Sequence, residues 1–584
     1  MKKNIAVSQH RQKADFILRN AKIADVFSLK WKEADLVVAN GKIIALDTEG
    51  KYEAEKVEDA RGRWVIPGMI DTHIHIESTM LTPEQFSRII LPFGVTSVIA
   101  DPHEIANVSG TEGLKYMLDA AKDSPLDIYY MLPSSVPATS FEHAGAVLKA
   151  SDLAPFLKNE QVLGIAEVMD YPAVLSCDEE MLAKIQLGHE HGMMIDGHGA
   201  GLNGQQLAGY RAAGIHTDHE CITLEEALER IEMGMYVLVR EGSASKNLKA
   251  LLPAIPPYNA RRFAFCTDDK HLDEIIQEGT INHSVKLAIA EGIEVLQAIQ
   301  LATLNAAECY RLYDKGAVAP GFTADFVLLD DLEEMKIAAV WKNGVKVAED
   351  GEMLLPETAP IDVPARICHS VHLPEVKVDD LALPLKSSFV NIIGIIPNQI
   401  VTKKLQDYVD VQDGKFVPNI EKDFLKLAVF ERHLHRGTKS VAIVHGLGLK
   451  AGAIATTIAH DSHNVIAVGT NDKDMVLALN EIQAIQGGLV VVKDGKVLAN
   501  LELPVAGLMT NIPAREAAEK LRALHDALHE LNPTLHFHLF LTLSFLSLPV
   551  IPALKLTDTG LFDVEQFRHI PIEAEQPSQI KISS

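Results

Sequence analysis

The chain of 584 residues has little cysteine: Cys177, Cys221, Cys266, Cys309 and Cys368 are odd in number, scattered, and form no CxxC pair. That argues against a disulfide framework or a zinc knuckle and fits a reducing cytoplasm. Positive charge is also short, with 54 basic against 79 acidic residues and a net charge of -25. Such a surface repels phosphate backbones and anionic membranes, so neither nucleic acid nor membrane is an expected partner. No long apolar run is uninterrupted. The nearest, Leu535 to Leu556, contains His536, His538, Pro549 and Pro552, which are costly in lipid, and it reads as a buried helix followed by a strand. Met1 to Phe16 is polar and lacks the apolar core of a signal peptide, so secretion is not expected. Repeats and low-complexity tracts are missing too. What remains, 47% hydrophobic and 23% charged residues, is the profile of a globular protein, and the length predicts two or three domains.

Near the start, Asp15-Phe-Ile-Leu, the Ala39-Asn-Gly-Lys-Ile turn and Trp64-Val-Ile alternate apolar and polar residues around glycine turns, as antiparallel strands do. A second such passage runs from Pro320 through Val340-Trp-Lys-Asn-Gly-Val-Lys-Val. The two pieces predict one composite β-sandwich from residues 1–65 and 315–360. Between them, eight strand-like runs alternate with helical patterns: 65–75, 96–103, 127–133, 162–170, 193–198, 214–220, 236–241 and 262–268, with Asp178 to His189, Leu224 to Gly234 and Glu294 to Tyr310 among the helices. This spacing predicts an α/β fold, a (β/α)8 TIM-type barrel over 66–314. A proline-rich linker, Pro356 to Pro374, leads to a C-terminal α+β domain over 375–584, with strands at Val441, Val465 and Gly488 and a helix from Ala514 to Leu531.

Barrel enzymes place their chemistry at the C-terminal ends of the strands, and five of the eight runs end in potential metal ligands. The first carries His73 and His75, which alternation puts on one face. Run four ends Glu167-Val-Met-Asp170, run five Asp196-Gly-His198, run six Thr217-Asp-His219-Glu220, and run eight Thr267-Asp268-Asp269. Two histidines, a carboxylate, two single histidines and a last aspartate make a coordination list. Glu167 is preferred to Asp170 as the central carboxylate, because Asp170 adjoins Tyr171-Pro172 and begins a loop. Glu220 reads either as a support for His219 or as an acid ahead of a helix. Alternation turns Asp269 away from the site. His189 and His191 sit at a helix end, where a partial negative charge suits an imidazolium, and His460 and His463 lie in a polar turn of an apolar domain.

The barrel with its split sandwich resembles the amidohydrolase superfamily over residues 15 to 350. The strings His73-Ile-His-Ile-Glu-Ser, Ala100-Asp-Pro-His-Glu, Ala166-Glu-Val-Met-Asp-Tyr-Pro, Asp196-Gly-His-Gly-Ala, Thr217-Asp-His-Glu and Cys266-Thr-Asp-Asp resemble the bacterial adenine deaminase family. So do Ala459-His-Asp-Ser-His-Asn and Leu543-Ser-Phe-Leu-Ser-Leu-Pro-Val-Ile-Pro in the tail. The resemblance implies a cytoplasmic, homo-oligomeric hydrolase of purine salvage that converts adenine and water to hypoxanthine and ammonia. It implies two divalent ions per chain, Mn2+ or Fe2+ with Zn2+ compatible: His73, His75 and Asp268 on one, His198 and His219 on the other, Glu167 between them. Many relatives in the superfamily bridge with a carboxylated lysine on strand four, and run four here ends without one. Coordination lowers the pKa of water from 15.7 towards ~7, supplying hydroxide for attack on C6. Asp268 is the expected proton shuttle, His103 a further catalytic candidate, and Ser135, Arg240, Glu241 and Ser243 the expected substrate contacts. A cyclic-amide hydrolase on the same scaffold, or a scaffold without chemistry, is the alternative.

Overall fold

Asn40-Gly41 and Asn343-Gly344 both place two consecutive residues at positive φ, which asparagine and glycine tolerate, and each joins two antiparallel strands. These hairpins belong to one nine-stranded sheet built from two distant stretches of chain, Ala14–Pro67 and Phe326–Met353. The join is made where Trp64–Pro67 pairs antiparallel with Phe326–Asp331. Trp341, almost fully buried, locks it by stacking on Phe326 at 4.9 Å and on Phe16 at 6.0 Å between ring centroids.

The structure, a computed structural model, describes residues 1–256, 260–357, 361–397 and 399–575, and divides into two compact units. The first takes in Met1–Pro102, Met117–Ser134 and Lys149–Ile361. Its second component is a set of parallel strands: β1 (Met69–Ile74), β2 (Val95–Ala100), β3 (Asp127–Leu132), β4 (Val162–Val168), β5 (Met194–Gly197), β6 (Thr217–Asp218), β7 (Tyr236–Arg240) and β8 (Phe263–Cys266). β1 to β5 form one parallel sheet and β6 to β8 another. The sheets meet at both edges. His216 N–H donates to the Ile195 carbonyl at 2.9 Å, and Asp268 N–H to that of His73 at 2.9 Å. Helices such as Glu179–Glu190 and Leu224–Glu232 lie between strands. The long run expected over 294–310 is two helices, Val295–Ala302 and Leu304–Cys309, because Thr303 departs from helical geometry.

The first strand-like run, 65–75, is likewise divided. Residues 64–67 pair in the composite sheet and 69–74 in the parallel one, with Gly68 at the switch. A β-carbon there would come within 2.2 Å of Thr96 Oγ1, so only glycine lets β1 turn from one sheet to the other over β2. A buried ion cluster ties the same two layers together: Lys342 donates to Asp325 and Asp127, both at 2.7 Å, and Asp127 opens β3.

The second unit takes in His103–Tyr116, Ser135–Leu148 and the described residues from Asp362 onward. Residues 103–116 and 135–148, inside the segment assigned by sequence to the barrel, thus cluster with the C-terminal part of the chain. Its core is an eight-stranded sheet in which Phe389–Ile395 and Lys439–His445 are the one parallel pair. Helix Asp472–Ala484 sets Met475, Ala478, Leu479 and Ile482, a helical-period stripe, against Val490 and Val492 of the sheet. Within 535–556, helix Leu539–Ser544 and strand Leu554–Thr557 form as the sequence suggests, and no described helix is long and apolar enough to cross a membrane. Of the linker 356–374, residues 358–360 lie outside the described residues, as do 576–584 of the expected C-terminal domain.

Replacing Gly68 by Ala therefore destabilises the first unit by about 1–3 kcal/mol, the usual cost of overpacking. Thr96→Ala in the same chain recovers part of that loss, because it removes the two nearest obstructing atoms. Urea denaturation of the single and double variants checks this, and strictly additive effects would count against it.

Candidate active site

Glu167 ends β4 almost fully buried, with one carboxylate oxygen turned to each of two histidine pairs. Its Oε1 lies 3.3 Å from His75 Nε2 and 3.9 Å from His73 Nε2. Oε2 lies 2.6 Å from His198 Nδ1 and 3.2 Å from His219 Nε2. Asp268 faces the first pair alone, with Oδ1 3.0 Å from His75 Nε2 and 3.4 Å from His73 Nε2. The rings of His73 and His219 stack at 4.1 Å. Thus His73, His75, Glu167, His198, His219 and Asp268 converge from the ends of β1, β4, β5, β6 and β8. Asp170 does not join them. Its side chain caps helix Tyr171–Leu175, accepting the Ala173 N–H at 3.0 Å.

The His75 ring and the backbone around His198 are held by what lies behind them. His75 Nδ1 donates to the Asp101 carbonyl at 3.1 Å, which leaves the Nε2 lone pair for the cluster. Around His198, Tyr210 Oη accepts the backbone N–H at 2.8 Å and donates to the Val168 carbonyl at 2.7 Å. Asp218 accepts Gly199 N–H at 3.1 Å and Arg230 Nε at 2.9 Å, while Arg230 also donates to the Gly199 carbonyl. A β-carbon on Gly199 would stand 2.5 Å from Asp218 Oδ2, which explains the glycine after His198. Below the cluster, Asp196 accepts hydroxyls from Thr217 and Tyr310, and Asp71 accepts that of Thr267. Burial raises both carboxyls, to about 7, against these hydrogen bonds.

Arg240, expected from the resemblance to touch substrate, is buried at the end of β7, and one of its nitrogens, Nη1, donates to both Glu220 and Asp268 Oδ2, the latter at 2.8 Å. The alternatives left open for Glu220 are thereby resolved: it pairs with Arg240 and lies 3.6 Å from His219 Nε2, while Thr223 and Glu226 form the helix cap. Burial acts to raise Asp268, but His73, His75 and Arg240 outweigh it and hold the carboxyl well below the usual range. Glu167 is treated the same way by His198, His219 and His75. Burial lowers His198, yet Glu220 and Glu167 push it up to about 9.

Glu241 accepts the Leu248 N–H, and Ser243 Oγ accepts that of His271, so both hold a loop. Asp269 is buried and accepts the Ser78 hydroxyl. His103 and Ser135 belong to the second unit, where His103 Nε2 lies 3.8 Å from Asp461 Oδ1. His189 and His191 are exposed and bond to backbone carbonyls. Sequence reasoning missed the Asp218–Arg230 support and the clamp by Arg240. The one available signal was the pair of acids, Asp218 and Glu220, that flank His219.

Divalent cations fit this donor set. Nε2 of His73 and of His219 are buried without a directed hydrogen bond. Of three buried carboxylates, Glu220 and Asp268 share one guanidinium and Glu167 faces only imidazoles, so balancing them in a protein interior takes added positive charge. His73, His75 and Asp268 offer ligand atoms within 4.8 Å of one another, as do His73, Glu167 and His219.

Residues 64–347 match the amidohydrolase family, and residues 399–568 the adenine deaminase C-terminal domain. An adenine deaminase of Lysinibacillus sphaericus is 61% identical over 98% of both chains. The chain belongs to the adenine deaminase family. Further members from Geobacillus kaustophilus and Halalkalibacterium halodurans are 52% and 50% identical, again over 98% of each chain. Among solved structures, L-hydantoinase (dihydropyrimidinase) from Arthrobacter aurescens is similar at 15% identity and a TM-score of 0.43, covering 59% of this chain and 98% of its own.

Glu167→Gln keeps the shape of the central side chain but removes the charge that both histidine pairs face. It should purify with most of its metal lost. Asp170→Asn still caps its helix and should keep the wild-type content. Elemental analysis of the two variants checks this, and an empty Asp170→Asn beside a loaded Glu167→Gln would reverse the assignment.

Proposed function

We propose that the chain is an adenine aminohydrolase, converting adenine and water to hypoxanthine and ammonia at a two-ion centre. The two parallel sheets are read as one closed (β/α)8 barrel, since their edges are joined at β5–β6 and β8–β1. The observation that carries the reading is Glu167, whose two oxygens each face a separate histidine pair in a chain of this family. His73, His75 and Asp268 would hold one ion, and His198 and His219 the other, with Glu167 shared. Mn2+ or Fe2+ is favoured by family resemblance, while imidazole and carboxylate donors suit Zn2+ as well. When bound, the ions lower the pKa of water and polarise the reacting centre.

The remaining work falls to the chain's own groups. Attack of water oxygen on C6 gives up two protons in all: one ends on ring N1 as the C6 carbonyl forms, and the exocyclic amine must gain the other before the C6–N bond breaks and ammonia leaves. Asp268 is assigned both transfers. Its Oδ2 is fixed by Arg240, so Oδ1, beside His73 and His75, is the atom that takes each proton and returns it. Arg240 orients Asp268 and keeps its carboxylate ionised between cycles. His103 is retained as the second candidate for proton transfer. A cytoplasmic setting is supported by five cysteines, none of them disulfide-bonded.

Ammonia release measured over a panel of purines and cyclic amides tests the substrate. Hydrolysis of a hydantoin without ammonia from adenine would overturn the reading. Asp268→Asn should lower kcat by about 10²–10⁴-fold, as expected for a general acid–base group, with a smaller change in adenine affinity. Asp269→Asn can still accept the Ser78 hydroxyl and should cost ~1 kcal/mol or less of stability. Near-normal kcat in metal-loaded Asp268→Asn would shift the proton transfer to His103.

A further inference from the structure

A separate group of metal-ligating side chains lies wholly within the second unit. Glu104 enters from the start of helix His103–Ala121, and His460 and His463 from the turn between strands Ala453–Thr456 and Val465–Gly469. All three are buried, at 1%, 4% and 0% exposure. Glu104 divides its oxygens between the imidazoles, with Oε1 3.4 Å from His460 Nδ1 and Oε2 4.0 Å from His463 Nε2. The ligand atoms of the three residues lie within 4.8 Å of one another. His463 Nε2 has no hydrogen-bond partner although its side chain is completely enclosed.

We propose that Glu104, His460 and His463 bind one divalent transition-metal ion, which shares no ligand with the Glu167 centre and clamps the helix start to the 459–464 turn. The spacing favours an ion over direct contacts. At 4.0 Å the His463–Glu104 separation is too long for a hydrogen bond. Two ligands bonded at about 2.1 Å to a tetrahedral ion stand roughly 3.4 Å apart, close to the separations seen. Two imidazoles and one carboxylate suit Zn2+, Mn2+ or Fe2+. Asp461 Oδ1, 3.9 Å from His460 Nδ1, is near enough to supply a further oxygen.

The turn is held rigid from behind, as a ligand-bearing loop must be. Arg432, fully buried, donates to the carbonyls of His463, Ser370 and Ala506. His433 Nε2 donates to the Ser462 carbonyl at 2.8 Å. Ligation has one cost. With Nε2 on the ion, the imidazole proton sits on Nδ1, and the long 3.3 Å bond that Nδ1 accepts from Ala459 N–H is given up. One long hydrogen bond is exchanged for a metal–nitrogen bond.

The test is the metal content of the full chain, produced in medium supplemented with Mn2+ or Zn2+ and dialysed before analysis. His463→Gln should hold one ion fewer per chain than wild type. A His73→Asn/His198→Asn variant should keep an ion that is lost when His463→Gln is added. Because the readout is a difference of one, it stands whether the Glu167 centre holds one ion or two. Equal content in wild type and a folded His463→Gln protein would overturn the proposal. If His463→Gln does not fold, anomalous diffraction from wild-type crystals grown with Mn2+ decides. A peak within bonding reach of Glu104, His460 and His463 supports the site, and its absence at full loading of the Glu167 centre overturns it.

Discussion

A single buried carboxylate with two oxygens aimed in different directions organises the first unit. Glu167 can face both histidine pairs only if β1, β5 and β6 end at the same height as β4, so the register of the parallel strands is committed to it. Buried and surrounded by imidazoles, it remains an anion despite the desolvation that would otherwise neutralise it. The same imbalance of charge that makes it a cation ligand would be destabilising in an empty interior. The supports behind the imidazoles then follow as requirements: a carbonyl for His75, a tyrosine hydroxyl for the His198 backbone, and an aspartate–arginine pair for the turn after it.

Arg240 shows how the charge is divided. One guanidinium nitrogen is shared by Glu220 and Asp268, so the arginine takes one oxygen of Asp268 and leaves the other directed at His73 and His75. In the proposed reaction this separates orientation from proton transfer within one carboxylate. Asp268 itself adopts a positive φ, a conformation aspartate tolerates better than most residues, and its backbone N–H is tied to the His73 carbonyl. The last strand end is therefore bonded to the first, and the two halves of the ligand set are held by backbone as well as by side chains.

The composite sheet serves the site indirectly. Gly68 lets the chain leave that sheet and enter β1 within one residue, seven positions after Arg61 begins the turn into Trp64 and five before His73. The stacked Phe16, Trp341 and Phe326, together with the Lys342–Asp127–Asp325 ion cluster, anchor both ends of the parallel segment to one layer. A strand that starts from a fixed layer delivers its C-terminal histidines to a fixed place.

Much of this was legible in sequence, because it is written in short-range pattern. Alternation along a strand placed His73 and His75 together, Asn-Gly pairs marked the hairpins, and a glutamate ending an apolar run stood out from an aspartate that opened a loop before Tyr171-Pro172. Even the preference for Glu167 over Asp170 rested on local sequence, the adjoining Tyr171-Pro172, and the helix cap that Asp170 forms is likewise a neighbour effect. Other features depend on partners distant in the chain, where no local pattern reports them. Nothing near Arg240 in sequence reveals that Glu220 and Asp268 both fold against it. The continuous run 65–75 concealed a change of sheet, since both halves are apolar and only the steric demand of Thr96 distinguishes Gly68. His103 and Ser135 sit among barrel-like segments in sequence, yet cluster with residues more than 200 positions later. Local propensity and periodicity determined the elements and most ligand types, whereas long-range packing and charge pairing decided which side chains meet.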